Sequence, residues 1–234
     1  MKMAVLLPGM TRRHRKCLPN FNDVFGAYRP DVFSSMWDVD GCLLSKDYRA
    51  AADSPSVSVE LISPQAVDEE FGFKRMRVES WSQWLGNHLD MIADYCELHP
   101  SAGEQMMANG VFGQYHQVSQ TFNLIDNPES YDLIVRWRFD IKARPIEFTD
   151  TGGICFCASC HASETAPADL YFYGPPELMR RACNLYDFAL ATDPFDPRDY
   201  SEIHKTYTPE VLMHKMLIEN NIQFQTGKPA EIVR

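Results

Sequence analysis

Apolar and polar positions change their period along the chain, and each change marks an element. Ala4 to Leu7 is an unbroken apolar run that Pro8-Gly9 ends, as expected of a first buried strand. Thr11 is placed to cap a helix whose apolar positions include Leu18, Phe21 and Phe25. Arg29-Pro30 signals a turn, and Asp31 to Trp37, with Val32 and Phe33, predicts a second strand. Strand, helix and strand at this spacing form a βαβ unit, which favours a right-handed crossover and a parallel sheet.

Residues 38 to 56 are polar and turn-rich and read as loop. Val57 to Ile62 reads as a third strand ended by Ser63-Pro64. Ser80 to Leu98 has helical period in Trp84, Leu85, His88, Ile92 and Tyr95, and Pro100 closes it. Val111 to Ile125 is a second such helix, with Tyr115, Val118, Phe122 and Ile125 on one face. Within Tyr131 to Asp140, Leu133 to Val135 is the continuous apolar run of a central parallel strand. Ile154 to Cys157 and Asp169 to Tyr173 read as further strands. Pro176 opens a helix through Leu190. Residues 193 to 197 read as loop. Thr208-Pro209-Glu210 starts a helix that runs to Asn220, and Ile222 to Phe224 is a last short strand. The pattern predicts an α/β fold with a mixed, mostly parallel sheet flanked by helices, as a single domain over residues 1–234.

Composition narrows the function. The chain has 234 residues, 45% of them apolar, enough for a substantial core. Its net charge of −10 argues against nucleic acid as a partner, since phosphate-backbone binding needs a basic surface. A local cationic pocket can still hold a small anion. The opening apolar run is shorter than a signal peptide requires, and no stretch is long enough to span a membrane. A cytoplasmic location is therefore expected, with the seven cysteines as reduced thiols.

Two clusters invite chemical readings. Arg12-Arg13-His14-Arg15-Lys16 is the one dense basic run in an acidic chain; a solvated helix face and a phosphate-binding patch both fit it. Cys155-Phe-Cys157-Ala-Ser-Cys160-His161 contains the c-type haem attachment string, but haem attachment needs export and no export signal is present. A zinc site from three cysteines and His161 is crowded in spacing. The expected reading is a strand that buries Cys155 and Cys157 as small apolar residues and carries no metal.

Four segments together resemble small GT-A-type glycosyltransferases. They are Leu6-Leu7-Pro-Gly-Met-Thr-Arg12, Asp31-Val-Phe-Ser-Ser-Met-Trp37, Tyr131-Asp-Leu-Ile-Val-Arg136-Trp-Arg138-Phe-Asp140, and Thr208-Pro-Glu210 through Asn221-Ile222. The most recognisable is the Tyr-Asp-hydrophobic strand ending in Arg-x-Arg-x-Asp. Residues 38 to 105 match no part of the family. The resemblance implies a GT-A-like, Rossmann-like fold, and an enzyme that moves a sugar from a nucleotide-sugar donor to a glycan or other hydroxyl acceptor. The alternative is a catalytically silent GT-A-like module that binds a nucleotide or glycan.

The resemblance also implies roles. Such enzymes place Asp-x-Asp at a strand end to hold Mn²⁺ or Mg²⁺ against the donor diphosphate. Here the position reads Arg138-Phe139-Asp140, so one carboxylate is replaced by a guanidinium. Asp140 is then the metal ligand, with His214 as a further candidate, and Arg138 a diphosphate contact. Gly9, Thr11, Arg12 and Arg136 complete the expected donor site. Asp169 and Glu210 are candidate catalytic carboxylates, Asp169 as general base or acceptor contact. Read from the residues alone, Arg138 and Asp140 are a salt bridge at a strand end. Asp169 is equally a turn residue, and Glu210 equally a first-turn helix stabiliser.

Overall fold

The computed structural model describes residues 1–11, 13–40, 60–61, 63–98, 111–149, 152–158, 167–191 and 209–232. Strand β1 (Met3–Leu6) is buried along its whole length. Its side chains alternate: Ala4 and Leu6 enter one core, Met3 and Val5 the other. Helix α1 (His14–Phe25) then carries the chain to β2 (Asp31–Trp37), which lies parallel to β1 with Val5 opposite Val32. The βαβ unit expected from the spacing is present.

The strands are completed by β3 (Val39–Asp40), β4 (Glu60–Leu61), β5 (Arg75–Glu79), β6 (Leu133–Trp137), β7 (Ile141–Ala143), β8 (Ile154–Ala158), β9 (Pro167–Gly174) and β10 (Phe224–Ile232). Among the described residues, eight of them make one sheet in the order β5-β2-β1-β6-β9-β8-β10-β7. The first four are parallel to one another. Strand β9 runs antiparallel to β6 and β8, β10 is parallel to β8, and β7 is an antiparallel edge. This is a mixed α/β fold with a mostly parallel sheet flanked by helices. Helices α3 (Trp81–Leu98), α4 (Gly113–Phe122), α5 (Pro176–Cys183), α6 (Leu185–Ala191) and α7 (Pro209–Glu219) share one core. Helices α1 and α2 (Pro64–Phe71) contribute to the other. No helix among the described residues is long and apolar enough to cross a membrane.

Several elements differ from the expectation. In the expected strand over 57–62, residues 60–61 pair, antiparallel to β3. Ser63-Pro64, read as a strand end, is also a helix start: Ser63 Oγ accepts from Ala66 N at 3.4 Å, and Pro64 sits in the first turn of α2. The helix expected over 176–190 divides at Asn184, where the Ser119 hydroxyl donates to the Cys183 carbonyl at 2.7 Å and takes an acceptor the helix would use. The short strand expected at 222–224 is found only at Phe224, where β10 begins; it runs on to Ile232, with a register shift between Thr226 and Pro229 that absorbs the glycine and proline there. Thr11 does not cap α1 with its hydroxyl. Arg13 takes a left-handed turn, φ 55°, and the Thr11 carbonyl, not its side chain, accepts from His14 N.

In the expected loop over 38–56, Val39–Asp40 form strand β3 instead, and residues 41–56 lie outside the described residues, as do the expected loop over 193–197 and the capping Thr208.

Candidate functional site

Parallel strands β2, β1 and β6 end side by side, and the residues at those ends line a pocket of about 70 Å³. Pro8, Gly9 and Met10 follow β1, Trp37 ends β2, and Arg136, Arg138, Phe139 and Asp140 close β6; Gln114 enters from α4. The carboxyl edge of a parallel sheet is where successive chain segments diverge and leave room for a ligand. Gly9 has φ 93°, and no atom lies within 4 Å of a Cβ built there. The backbone angle, not crowding, calls for glycine at this turn.

Arg136 is the unusual member. It is 1% exposed and stands where a core residue would, opposite Leu6 and Phe172 in the sheet register. Its guanidinium carbon lies 5.7 Å from the Phe172 ring centre. Its Nε and Nη1 have no hydrogen-bond partner. Burial pushes its pKa down to about 10, with Asp169 opposing that shift and Arg138 adding to it, so the group stays protonated at neutral pH.

Arg138 lies beyond the end of β6 at Trp137, and its fork closes on Asp140: Nε and Nη2 each donate to a carboxylate oxygen at 2.8 Å. Its Nη1 is 3.8 Å from Asp169 Oδ2, which also accepts from the Gln114 amide. Asp140 and Asp169 are both buried. The structure thus brings together Gly9, Arg136, Arg138 and Asp140, with Asp169 joined to them through Arg138. Thr11 is buried beyond the pocket lining, its Oγ1 without a hydrogen-bond partner. Arg12 lies outside the described residues, as does the Glu210 side chain; the Glu210 backbone is in the first turn of α7. The His214 ring packs against Phe224, with centroids 5.5 Å apart.

The described residues make a poor cage for Mn²⁺ or Mg²⁺. Such ions want about six oxygen ligands, several of them anionic. Both Asp140 oxygens already accept from Arg138, and Arg136 adds a second, buried positive charge. No group of three His, Cys, Asp or Glu side chains suited to a metal occurs among the described residues.

Five lining residues, Pro8, Met10, Trp37, Gln114 and Phe139, lie outside the set that the sequence assigns to the site. Gln114 sits on a helix whose period marks it only as polar. Trp37, the last residue of β2, heads an aromatic group, stacked on His116 at 5.8 Å and meeting Trp81 at 5.0 Å. His116 is held by Glu79 at 2.9 Å. Burial alone would raise the Glu79 pKa, but His116, Arg77 and Gln117 outweigh it and hold the carboxyl below its ordinary value.

In the basic run, Arg13, Arg15 and Lys16 are exposed, and Arg15 pairs with Glu70 of α2 at 2.9 Å. Cys155 and Cys157 are buried on β8, with Ala230 N donating to Cys157 Sγ at 3.1 Å. Cys160 and His161 lie outside the described residues.

No protein-family model matches the chain, and no curated protein sequence does either. Among solved structures, the chain is similar to mouse xyloside xylosyltransferase 1 in its apo form, with TM-score 0.41 and 9% identity over 97% of this chain and 84% of that one. It is similar to the galactosyltransferase LgtC in complex with donor and acceptor sugar analogues, with TM-score 0.42 and 7% identity over 91% of this chain and 69% of that one. An active-site mutant of LgtC gives TM-score 0.44 and 9% identity, over 96% and 72%.

Proposed function

We propose that this chain is a glycosyltransferase that grips the diphosphate of a nucleotide-sugar donor at the carboxyl ends of β1, β2 and β6. The sugar passes to a glycan or other hydroxyl acceptor. The observation that carries this reading is Arg136, a residue of the pocket lining whose guanidinium is buried, protonated and has two unpaired nitrogens. A buried charge with unmet hydrogen bonds costs several kcal/mol. An anionic ligand supplies the missing partner. The resemblance of residues 131–140 to the Arg-x-Arg-x-Asp strand end of small GT-A-type enzymes selects the donor diphosphate among anions.

The chemistry follows from charge. When the anomeric C–O bond breaks, negative charge grows on the departing diphosphate. Arg136 and Arg138 are placed to meet it, and Asp140 holds the Arg138 fork in plane. Asp169 is the carboxylate beside Arg138; as general base it would take the acceptor hydroxyl's proton. A silent binding module is the second reading, favoured by the same Asp140–Arg138 clamp, which occupies the one carboxylate of the motif.

Donor turnover and melting temperature, measured on the same samples, test the proposal. Asp140→Asn keeps the shape and should fold, with turnover down by about two orders of magnitude. Arg138→Lys keeps the charge but loses the planar fork, so it should weaken nucleoside diphosphate binding more than stability. Variants that melt early yet bind normally would show a merely structural salt bridge. Tight donor binding with no turnover on any acceptor or water would favour the silent module.

A further inference from the structure

We infer that this site takes its diphosphate directly on Arg136 and Arg138, with no divalent cation between protein and ligand. The inference rests on the donor reading above and deepens it. In the described site the carboxylates and the free hydrogen-bonding capacity lie on different groups. Asp140 offers both oxygens to Arg138, and Asp169 Oδ2 accepts from Gln114 and lies 3.8 Å from Arg138. The unmet capacity is donor capacity: Nε and Nη1 of Arg136. A divalent cation binding Asp140 would have to compete with Arg138 for both of its oxygens, and would sit in the field of two guanidiniums. An anion meets no such obstacle. It displaces no hydrogen bond at Arg136 Nε and Nη1, although both are buried and must be uncovered as it enters.

Position supports this. Arg138 stands one residue from Phe139 and two from Asp140, where paired carboxylates would otherwise chelate an ion. A guanidinium there supplies fixed positive charge and a planar fork suited to two phosphate oxygens. Arg136 adds a second charge from inside the sheet, 1% exposed and therefore weakly screened. The diphosphate's charge is met by the chain itself.

The test is calorimetric titration of the full chain with UDP, GDP, ADP and CDP, each in EDTA and again in Mn²⁺ or Mg²⁺. The expected result is that at least one binds in EDTA within about threefold of its affinity with metal. Arg136→Met should then cut that affinity roughly a hundredfold or more while the melting temperature holds or rises, since a buried charge gives way to an apolar side chain of similar length. Should Arg136→Met fail to fold, Arg136→Lys, which keeps the charge without the fork, should bind at least tenfold more weakly in EDTA. Binding that appears only with metal overturns the inference and leaves the donor reading standing. Binding of none of the four in either condition overturns the donor reading, and the inference with it. An Arg136→Met protein that binds in EDTA as wild type does overturns the assignment of Arg136.

Discussion

The two ends of the parallel strands carry similar charged groups in opposite states. Where β1, β2, β5 and β6 begin, the Tyr131 hydroxyl and the Lys74 ammonium each donate to Asp31 Oδ2 at 2.7 Å, and Lys2 stands 4.5 Å above the Tyr131 ring. Lys74 is half exposed. Burial alone would raise the Asp31 pKa, but bonds from Lys74 and Tyr131 outweigh it and hold the carboxyl below its usual value. Where the same strands end, Arg136 is buried with two nitrogens unpaired. One cluster is paired and open to water and ties strand starts together. The other is more deeply buried and leaves two nitrogens of Arg136 unpaired. Exposure and pairing, not the presence of charge, separate a fastening from a site.

The largest effect should come from Asp169→Ala. That change leaves the Arg136 charge without the carboxylate that supports it, so stability should fall by about 3 kcal/mol or more. Adding Arg136→Met should recover much of the loss, and a double-mutant cycle read by denaturant unfolding measures the coupling. Additive losses would break the comparison, since the two groups would then be independent.

A smaller effect is expected at the opposite end. Tyr131→Phe removes the hydroxyl that donates to Asp31 and should cost about 1 kcal/mol, with ligand affinity unchanged. Melting curves with and without nucleoside diphosphate check both halves. A change in ligand affinity would show that the strand starts are coupled to the site.

The smallest effect is a tilt of stability with pH. Glu79 and Asp31 are both held below their ordinary values of 4.5 and 3.8. A depressed carboxyl adds stability above its unfolded pKa and loses it as pH falls through the folded one. The melting gap between wild type and Glu79→Gln should therefore be widest near neutrality and close in acid below pH 4. A gap independent of pH would mean that His116 and Arg77 do not act on Glu79 through its charge.

Much of the frame was legible along the chain. Apolar runs marked β1, β2 and β6, and helical period marked α3 and α4, because each buries a face whose spacing is local. Strand β5 shows no strand pattern along the chain, because Arg-Met-Arg-Val-Glu lies at a sheet edge and is mostly polar. Strand β7 is three residues long, too short to show a period.

The sequence by itself determined which residue types stand at the strand ends: a glycine after β1, a tryptophan ending β2, and two arginines, one within β6 and one just past it, ahead of an aspartate. It also carried the resemblance from which the proposed chemistry is drawn. Only the tertiary structure decided how those groups stand to one another. That Arg138 closes on Asp140 follows from the chain leaving the strand at Trp137, so the two-residue period no longer sets direction. That Gln114 reaches Asp169, 55 positions away, depends on α4 packing across the sheet. That Arg136 is buried with nitrogens unpaired depends on Phe172 of β9 and on what covers that face. Local pattern sets which face a side chain takes; solvation and partners are nonlocal, and they decide whether a charge is a fastening or a site.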